Sequence, residues 1–187
     1  AGTSDEIAFQ HLNRLQNTLT VFLADRKTGR SRPVFVDRDS AWVDVVDDWD
    51  WLDGGARFVW ISERDGWRHA YTISRDGKAV QLLTPGEFDI ADVIQVDAKG
   101  GWLYYSASPE NPTQRYLYRA RLDGSGAMER LSPMGQFGTH SYNLAPGGRF
   151  AIHSFSSVSS PPVAELVRLP AHDVVRTLAD NAALKHR

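Results

Sequence analysis

The sequence predicts an all-β fold: a partial β-propeller of about three and a half four-stranded antiparallel blades. Three observations carry this expectation. First, a Gly turn runs into a strongly apolar strand ending in Ser at residues 53–62, 97–106 and 145–154. The closing residues Ser62, Ser106 and Ser154 lie 44 and then 48 residues apart. Second, the strands that follow repeat as well, as set out below. Third, the chain carries 6 Trp, 6 Tyr and 8 Phe beside 15 Gly and 9 Pro, with the aromatics in short runs between Gly, Asp and Pro. That is the texture of many short strands joined by tight turns. A four-stranded unit at this period reads as a propeller blade, because a meander with two apolar faces buries both only between neighbours. A β-sandwich with turns at similar intervals is the competing architecture, and it does not require internal repetition.

The elements follow in order. Residues 7–17 hold Ile7, Phe9, Leu12 and Leu15 at mixed spacing, which suits a short helix or a lead-in strand. Residues 19–24 read as a strand, 25–30 as a turn containing Gly29, and 33–36 as a second strand, together a hairpin. They form an incomplete blade over about 10–40. Three further blades are expected at about 42–86, 88–135 and 138–180, all in one partial propeller domain spanning 1–187. Residues 69–73 correspond to 115–119. Each segment leads to an Asp-Gly turn, Asp76-Gly77 and Asp123-Gly124, and then to Leu83-Thr84 or Leu131-Ser132. The last copy is 164–169 with 175–178, although 173–184 is also a weak helix candidate.

Composition excludes several classes of function. Formal net charge is -2, so no broad basic surface exists for nucleic acid. There is no cysteine, which removes disulfides, thiol nucleophiles and thiolate metal sites. No apolar run approaches the roughly 18 residues of a membrane span. Residues 1–6 contain neither a basic nor an apolar stretch, so no signal peptide is expected there. The six histidines form no H-x-H or H-E-x-x-H pattern and are expected at the surface or in turns. Gly54-Gly55 and Gly147-Gly148 read as turn glycines, since no G-x-G-x-x-G precedes a helix. Neither a metal nor a cofactor is expected.

Two stretches hold the candidate binding residues. In residues 62–69, Glu63, Arg64, Trp67, Arg68 and His69 surround an Asp65-Gly66 turn. Their charges suit a binding face, while the turn alone explains a hairpin with Trp67 and His69 packed on the blade. Residues 42–51 mix four aspartates with three tryptophans, and Asp47, Asp48 and Trp49 could meet a cationic peptide end or a sugar. Alternation in a half-solvated strand explains the same pattern.

Residues 61–71, Ile-Ser-Glu-Arg-Asp-Gly-Trp-Arg-His-Ala-Tyr, resemble the ISERDGWxHLY segment in the N-terminal propeller of dipeptidyl peptidase IV-like enzymes, serine peptidases of the prolyl oligopeptidase group. Residues 14–17 resemble the RLQN lead into a strand of that family, 83–90 its LTxGxWxV turn, 111–119 its NPxxRHLYR segment, and 178–184 the end of its propeller. The resemblance covers roughly 14–184.

It implies an eight-bladed propeller in a larger bacterial enzyme, joined to a C-terminal α/β-hydrolase domain that holds a Ser-Asp-His triad. That domain releases N-terminal dipeptides, usually after proline. The G-x-S-x-G elbow of the nucleophile does not occur in this sequence, so the catalytic domain is expected to lie outside it. The family also grips the substrate ammonium with two adjacent glutamates. Glu6, Glu63, Glu87, Glu110, Glu129 and Glu165 are all isolated, so that pair is absent here. In some members the place of residues 42–51 carries an Arg near the extended side of the substrate. Here the stretch is acidic, and that contact does not carry over.

The function the resemblance implies is therefore a non-catalytic one: gating and orienting short peptides for the parent peptidase. A protein–protein interaction module unrelated to peptidolysis is the alternative. The expected partners are the hydrolase domain, short peptides and, through open blade edges, a second copy, with no nucleic acid or membrane. The parent would reside in the bacterial periplasm or cytoplasm.

Overall fold

The computed structural model describes residues 5–47 and 49–184. The chain is nearly all β, in four antiparallel sheets. Two compact units divide it, Ala1–Pro85 and Gly86–Arg187.

The first unit holds two sheets. One is three-stranded, with β1 (Glu6–Leu12), β2 (Thr18–Asp25) and β3 (Ser31–Arg38) in chain order. The other has four strands in chain order: β4 (Trp51–Leu52), β5 (Arg57–Ser62), β6 (His69–Ser74) and β7 (Val80–Leu82). The second unit holds two four-stranded sheets. These are β8 (Ile90–Asp97), β9 (Trp102–Ala107), β10 (Tyr116–Arg121) and β11 (Glu129–Arg130), and then β12 (Thr139–Leu144), β13 (Phe150–Ser157), β14 (Ser160–Arg168) and β15 (Asp173–Ala179). Each repeated Gly-turn strand of the sequence is the second strand of its sheet, β5, β9 and β13.

Both helix alternatives give way to strands. Residues 6–12 pair in unbroken register with β2, from Glu6 opposite Asp25 to Leu12 opposite Leu19. Residues 173–179 pair with β14 through two irregular steps, and only a short turn at Ala182–Leu184 follows. In both places the partner strand supplies hydrogen bonds that local propensity could not foretell.

The alternation in 42–51 does not produce a strand either. Only Trp51 and Leu52 pair with β5, and 42–47 and 49–50 are irregular. Aspartates explain this locally, since Asp39 accepts hydrogen bonds from the amides of Ala41 (2.7 Å) and Trp42 (3.3 Å) and so favours a turn over a ladder.

Aromatic rings fill the core of the first unit. Trp60 is fully buried, 5.8 Å from Phe35, 5.7 Å from Trp49 and 6.1 Å from Phe58, all edge-on. This is the favoured geometry for rings with opposed quadrupoles. In the second unit Tyr104, Leu117, Leu131, Tyr142, Ala151, Val167 and Leu169 form one cluster that packs the sheet of β8–β11 on the sheet of β12–β15. The last strand, β15, is exposed along its whole length.

Candidate functional site

The β5–β6 hairpin sets one wall of the site. Ser62 stands opposite His69 at its end, and residues 63–68 form the connecting loop. Gly66 has φ 100°, a conformation that the Asp-Gly pair supplies cheaply. Asp65 organises the loop from within, for its Oδ1 accepts from the Trp67 amide at 3.3 Å and its Oδ2 accepts from His69 Nδ1 at 2.9 Å. Burial works to raise the carboxyl pKa, but hydrogen bonds from His69 and the Trp67 amide, with the charge of His69, together outweigh it, and Asp65 titrates below the usual range. With its inner face tied down, the loop directs Glu63, Arg64 and Arg68 outward. The Arg64 guanidinium lies over the Phe35 ring at 4.7 Å.

The irregular segment after β3 makes the opposite wall. It hangs from the β1–β2 turn, with Asp39 and Val43 donating their amides to the carbonyls of Asn17 (3.2 Å) and Gln16 (2.7 Å). The Gln10 side chain completes the attachment. Its Nε2 donates to the Val46 carbonyl at 2.6 Å, and its Oε1 accepts from the Val46 amide at 3.2 Å. One side-chain amide thus pairs with one peptide group as a neighbouring strand would.

Between these walls lies a cleft of about 420 Å³. Five carboxylates line it (Asp37, Asp39, Asp44, Asp47 and Glu63) beside three guanidiniums (Arg38, Arg64 and Arg68), with Trp42, Val43 and Val45 as apolar surface. Asp37 is the buried member at 4 % exposure, and its Oδ2 accepts from Trp60 Nε1 at 3.2 Å. Trp42 Nε1 donates to Asp44 Oδ1 at 2.7 Å. Such a surface offers acceptors for an ammonium and planar donors for a carboxylate or a peptide carbonyl.

The candidate residues separate accordingly. Glu63, Arg64, Arg68 and Asp47 come together on the cleft lining. Trp49 does not join them on the cleft lining; half-buried, its ring packs against Phe58 at 5.5 Å. His69 is buried beneath the loop as its anchor, and Trp67 is 39 % exposed and does not line the cleft. Asp48 lies outside the described residues. Sequence reasoning missed Asp37, Arg38 and Asp39. Their only signal was three charged residues in a row directly after an apolar strand. It also placed the histidines at the surface or in turns, whereas His140 and His153 are buried within strands; His69 is buried, as the hairpin reading with His69 packed on the blade expects. Among the described residues no group of three or more His, Asp or Glu is placed to hold a metal ion.

The sequence model described as the dipeptidyl peptidase IV (DPP IV) N-terminal region matches residues 1–162. Dipeptidyl-aminopeptidase B of Aspergillus niger is 29 % identical over 199 residues, covering 98 % of this chain and 22 % of that protein. Dipeptidyl peptidase 4 of Arthroderma otae is 29 % identical over 125 residues, covering 64 % of this chain and 16 % of that protein. The crystal structure of Porphyromonas gingivalis dipeptidyl peptidase 4 superposes with a TM-score of 0.84 at 30 % identity, covering 98 % of this chain and 26 % of that one. The chain therefore spans about a fifth of the length of the curated relatives and a quarter of the solved one. Its sheets of three and four antiparallel strands fit part of a propeller. By sequence and by fold, the chain belongs to the dipeptidyl peptidase IV N-terminal region family.

Proposed function

We propose that this chain gates and orients short peptide substrates for a dipeptidyl peptidase IV-like serine peptidase of which it is a part, without catalysing the reaction itself. The cleft between the segment after β3 and the β5–β6 loop carries this reading. Acidic and basic groups alternate there around exposed apolar surface, which suits a short peptide with a charged end and bare backbone groups. Glu63 and Asp47 face an ammonium, while Arg64 and Arg68 face carbonyl or carboxylate oxygens. The acyl transfer belongs to an α/β-hydrolase domain of the parent protein, where a serine nucleophile, a histidine base and an oxyanion hole would act. That the matched relatives are several times longer than this chain supports the division.

The test uses the full-length parent enzyme and a chromogenic dipeptidyl substrate with proline in the second position. Arg64→Ala and Glu63→Gln are expected to raise KM by about tenfold and leave kcat nearly unchanged, the pattern for lost ground-state contacts. An unchanged KM in both variants would remove the cleft from substrate handling. The 187-residue chain alone is expected to turn over none of this substrate, and measurable turnover refutes the non-catalytic reading.

Self-association is a separate part of the proposal. Within its sheet β1 pairs on one side only, with Ile7 57 % and Phe9 40 % exposed, which favours pairing with a second copy. Light scattering at rising concentration is expected to show a dimer, and a monomer throughout overturns this.

A further inference from the structure

The second unit holds a knot of three histidines, His140, His153 and His172, between β12, β13 and the β14–β15 connection. His140 and His153 are 1 % and 0 % exposed, with rings stacked 5.1 Å apart. His172 stands edge-on to His153 at 4.7 Å. Tyr142 lies 4.6 Å from the His153 ring, and its hydroxyl bonds His172 Nε2 at 2.8 Å and Ser132 Oγ at 3.0 Å.

The hydrogen bonds determine where the protons sit. The Gln136 carbonyl, 2.9 Å from His140 Nε2, can only accept, so this nitrogen carries a proton. In the neutral ring His140 Nδ1 is then an acceptor, and the 2.9 Å bond to His153 Nε2 must be donated by His153. His153 Nδ1 is left bare, buried and without a hydrogen bond, 3.5 Å from Glu165 Oε2. The chain of donors thus runs from His153 through His140 to the loop carbonyl, with all the rings neutral.

We propose that this cluster is an acid-sensitive latch: excess protons unpack the β12–β14 face and release the loop at residues 133–138 that His140 holds.

In the folded state the His140–His153 pair has room for one added proton, while burial disfavours the cation of the partly exposed His172. Placed on His153 Nδ1, it would face Glu165. Placed on His140 Nδ1, it would require His153 to exchange tautomers so that Nδ1–H points to Glu165. A second proton breaks the His140–His153 bond or sets two imidazolium rings about 5 Å apart in a buried site. The opened state has no such limit and binds three. Other charged and titratable groups around the cluster do not change this count. Arg130 of β11 lies over the Tyr116 ring of β10 at 3.6 Å and opposes cation formation on His140, while Glu165 of β14 faces His153. Burial pushes the Tyr142 hydroxyl further up, so it adds no charge in the relevant range.

Burial, in first place, holds His140 and His172 below the ordinary imidazole value and pushes His153 down to about 3. A group with a depressed folded pKa that is neutral when packed favours the folded state above its unfolded pKa. That favour is lost as pH falls below it, here from about 6.5 downward. Each extra proton bound by the open state steepens the opening equilibrium by about tenfold per pH unit. The loop is the part that responds. Besides the His140 bond it is held by Arg130, which donates to the carbonyls of Ser132 (3.2 Å) and Pro133 (2.9 Å), and at its end by the Arg115 amide, which donates to the Gly138 carbonyl at 3.2 Å. The loop carries Met134 and Phe137, 65 % and 63 % exposed.

The experiment measures hydrogen exchange by mass spectrometry on the 187-residue chain between pH 7.5 and 5.0, corrected for intrinsic rates. For peptides covering 133–144 and 151–157, the opening constant is expected to rise at least tenfold per pH unit below about pH 6. His172→Asn, which keeps a residue suited to the φ of 58° there, is expected to reduce that slope by up to tenfold per unit. His11→Gln on β1 leaves it unchanged. A wild-type slope below about threefold per unit overturns the latch, and so does a steep slope that His172→Asn leaves intact. Should that variant fail to fold, ring NMR of the wild-type chain decides. Rings of His140 and His153 that titrate near the free imidazole value with the sheet intact overturn the proposal. Rings that stay neutral until the amide signals of residues 133–138 change support it.

Discussion

Asp65 Oδ2 lies 2.9 Å from His69 Nδ1, so a half-exposed carboxylate clamps a buried imidazole across the mouth of the β5–β6 hairpin. Asp65→Asn keeps a side-chain acceptor for the Trp67 amide but loses the charge on the His69 bond. The expected loss is about 1 kcal/mol at pH 7, since the carboxylate is partly screened by water. The pH dependence has a definite sign. The Asp65 carboxyl is held below its ordinary value, so its contribution is complete above about pH 4 and disappears as pH falls further. Denaturant unfolding at pH 7 and pH 3.5 checks this, and a wild type and variant that differ equally at both pH values contradict it.

Asp37 and Trp60 make a second pair that separates geometry from charge. Both are buried, and the indole donates to the carboxylate at 3.2 Å. Asp37→Ala leaves a buried N–H without an acceptor and is expected to cost about 1–3 kcal/mol. Asp37→Asn retains an oxygen at that place and is expected to cost less than half as much. Thermal unfolding of the two variants, with tryptophan fluorescence as the signal, distinguishes them. Equal losses would show that charge, not acceptor geometry, matters there.

Gly77 tests the turn between β6 and β7. Its φ is 74°, and a Cβ built there would overlap the carbonyl oxygen of Val34 on β3. The backbone cannot yield as a flexible side chain would. Gly77→Ala is therefore expected to cost about 3 kcal/mol, strain and overlap together. Gly29 also has a positive φ, 70°, but open space around it, so Gly29→Ala is expected to cost only about 1 kcal/mol. Chemical denaturation of both variants gives the comparison, and equal costs would exclude the Val34 contact as the cause.

Arg75 joins the two sheets of the first unit. Its Nε donates to Glu6 Oε2 at 3.1 Å, its Nη1 to the Gly55 carbonyl at 2.9 Å, and its guanidinium lies 5.0 Å from the centre of the Trp51 ring. Hydrogen bonding from Arg75 holds the Glu6 carboxyl below its ordinary value. Arg75→Ala is expected to lose about 1–2 kcal/mol, and Arg75→Lys to recover only part, because a single ammonium cannot replace the planar fork. Urea midpoints at pH 7 measure both. Full recovery by lysine would reduce the contact to charge alone.

Much of this architecture is legible in the residues, and the reasons are local. Asp65-Gly66, Asp76-Gly77 and Asp123-Gly124 locate turns because the backbone there needs positive φ, which Gly66, Gly77 and Gly124 provide. Glu63, Arg64 and Arg68 were legible as residues directed away from the core, because charges on a tight hairpin loop point outward. Asp37 was not, since its burial depends on Trp60, 23 positions away. His140 and His153 are 13 apart on different strands. Only the pairing register, with Tyr142 opposite His153, brings that cluster together, and no spacing in one sequence encodes a register. Trp49 was misplaced because an aromatic beside aspartates looks the same whether it fills a core or a binding surface.

Among the described residues, every named strand in the four sheets pairs with strands next to it in the chain, and one isolated parallel bridge, Arg115 to Thr139, joins segments farther apart. For an all-β protein this keeps loop-closure entropy small, because each strand ladder closes a hairpin. Each sheet can therefore form by successive hairpin addition. The slow step in refolding is expected to be the docking of one preformed sheet on another, with destabilising core substitutions such as those at Leu117 or Val167 accelerating unfolding more than they retard strand formation.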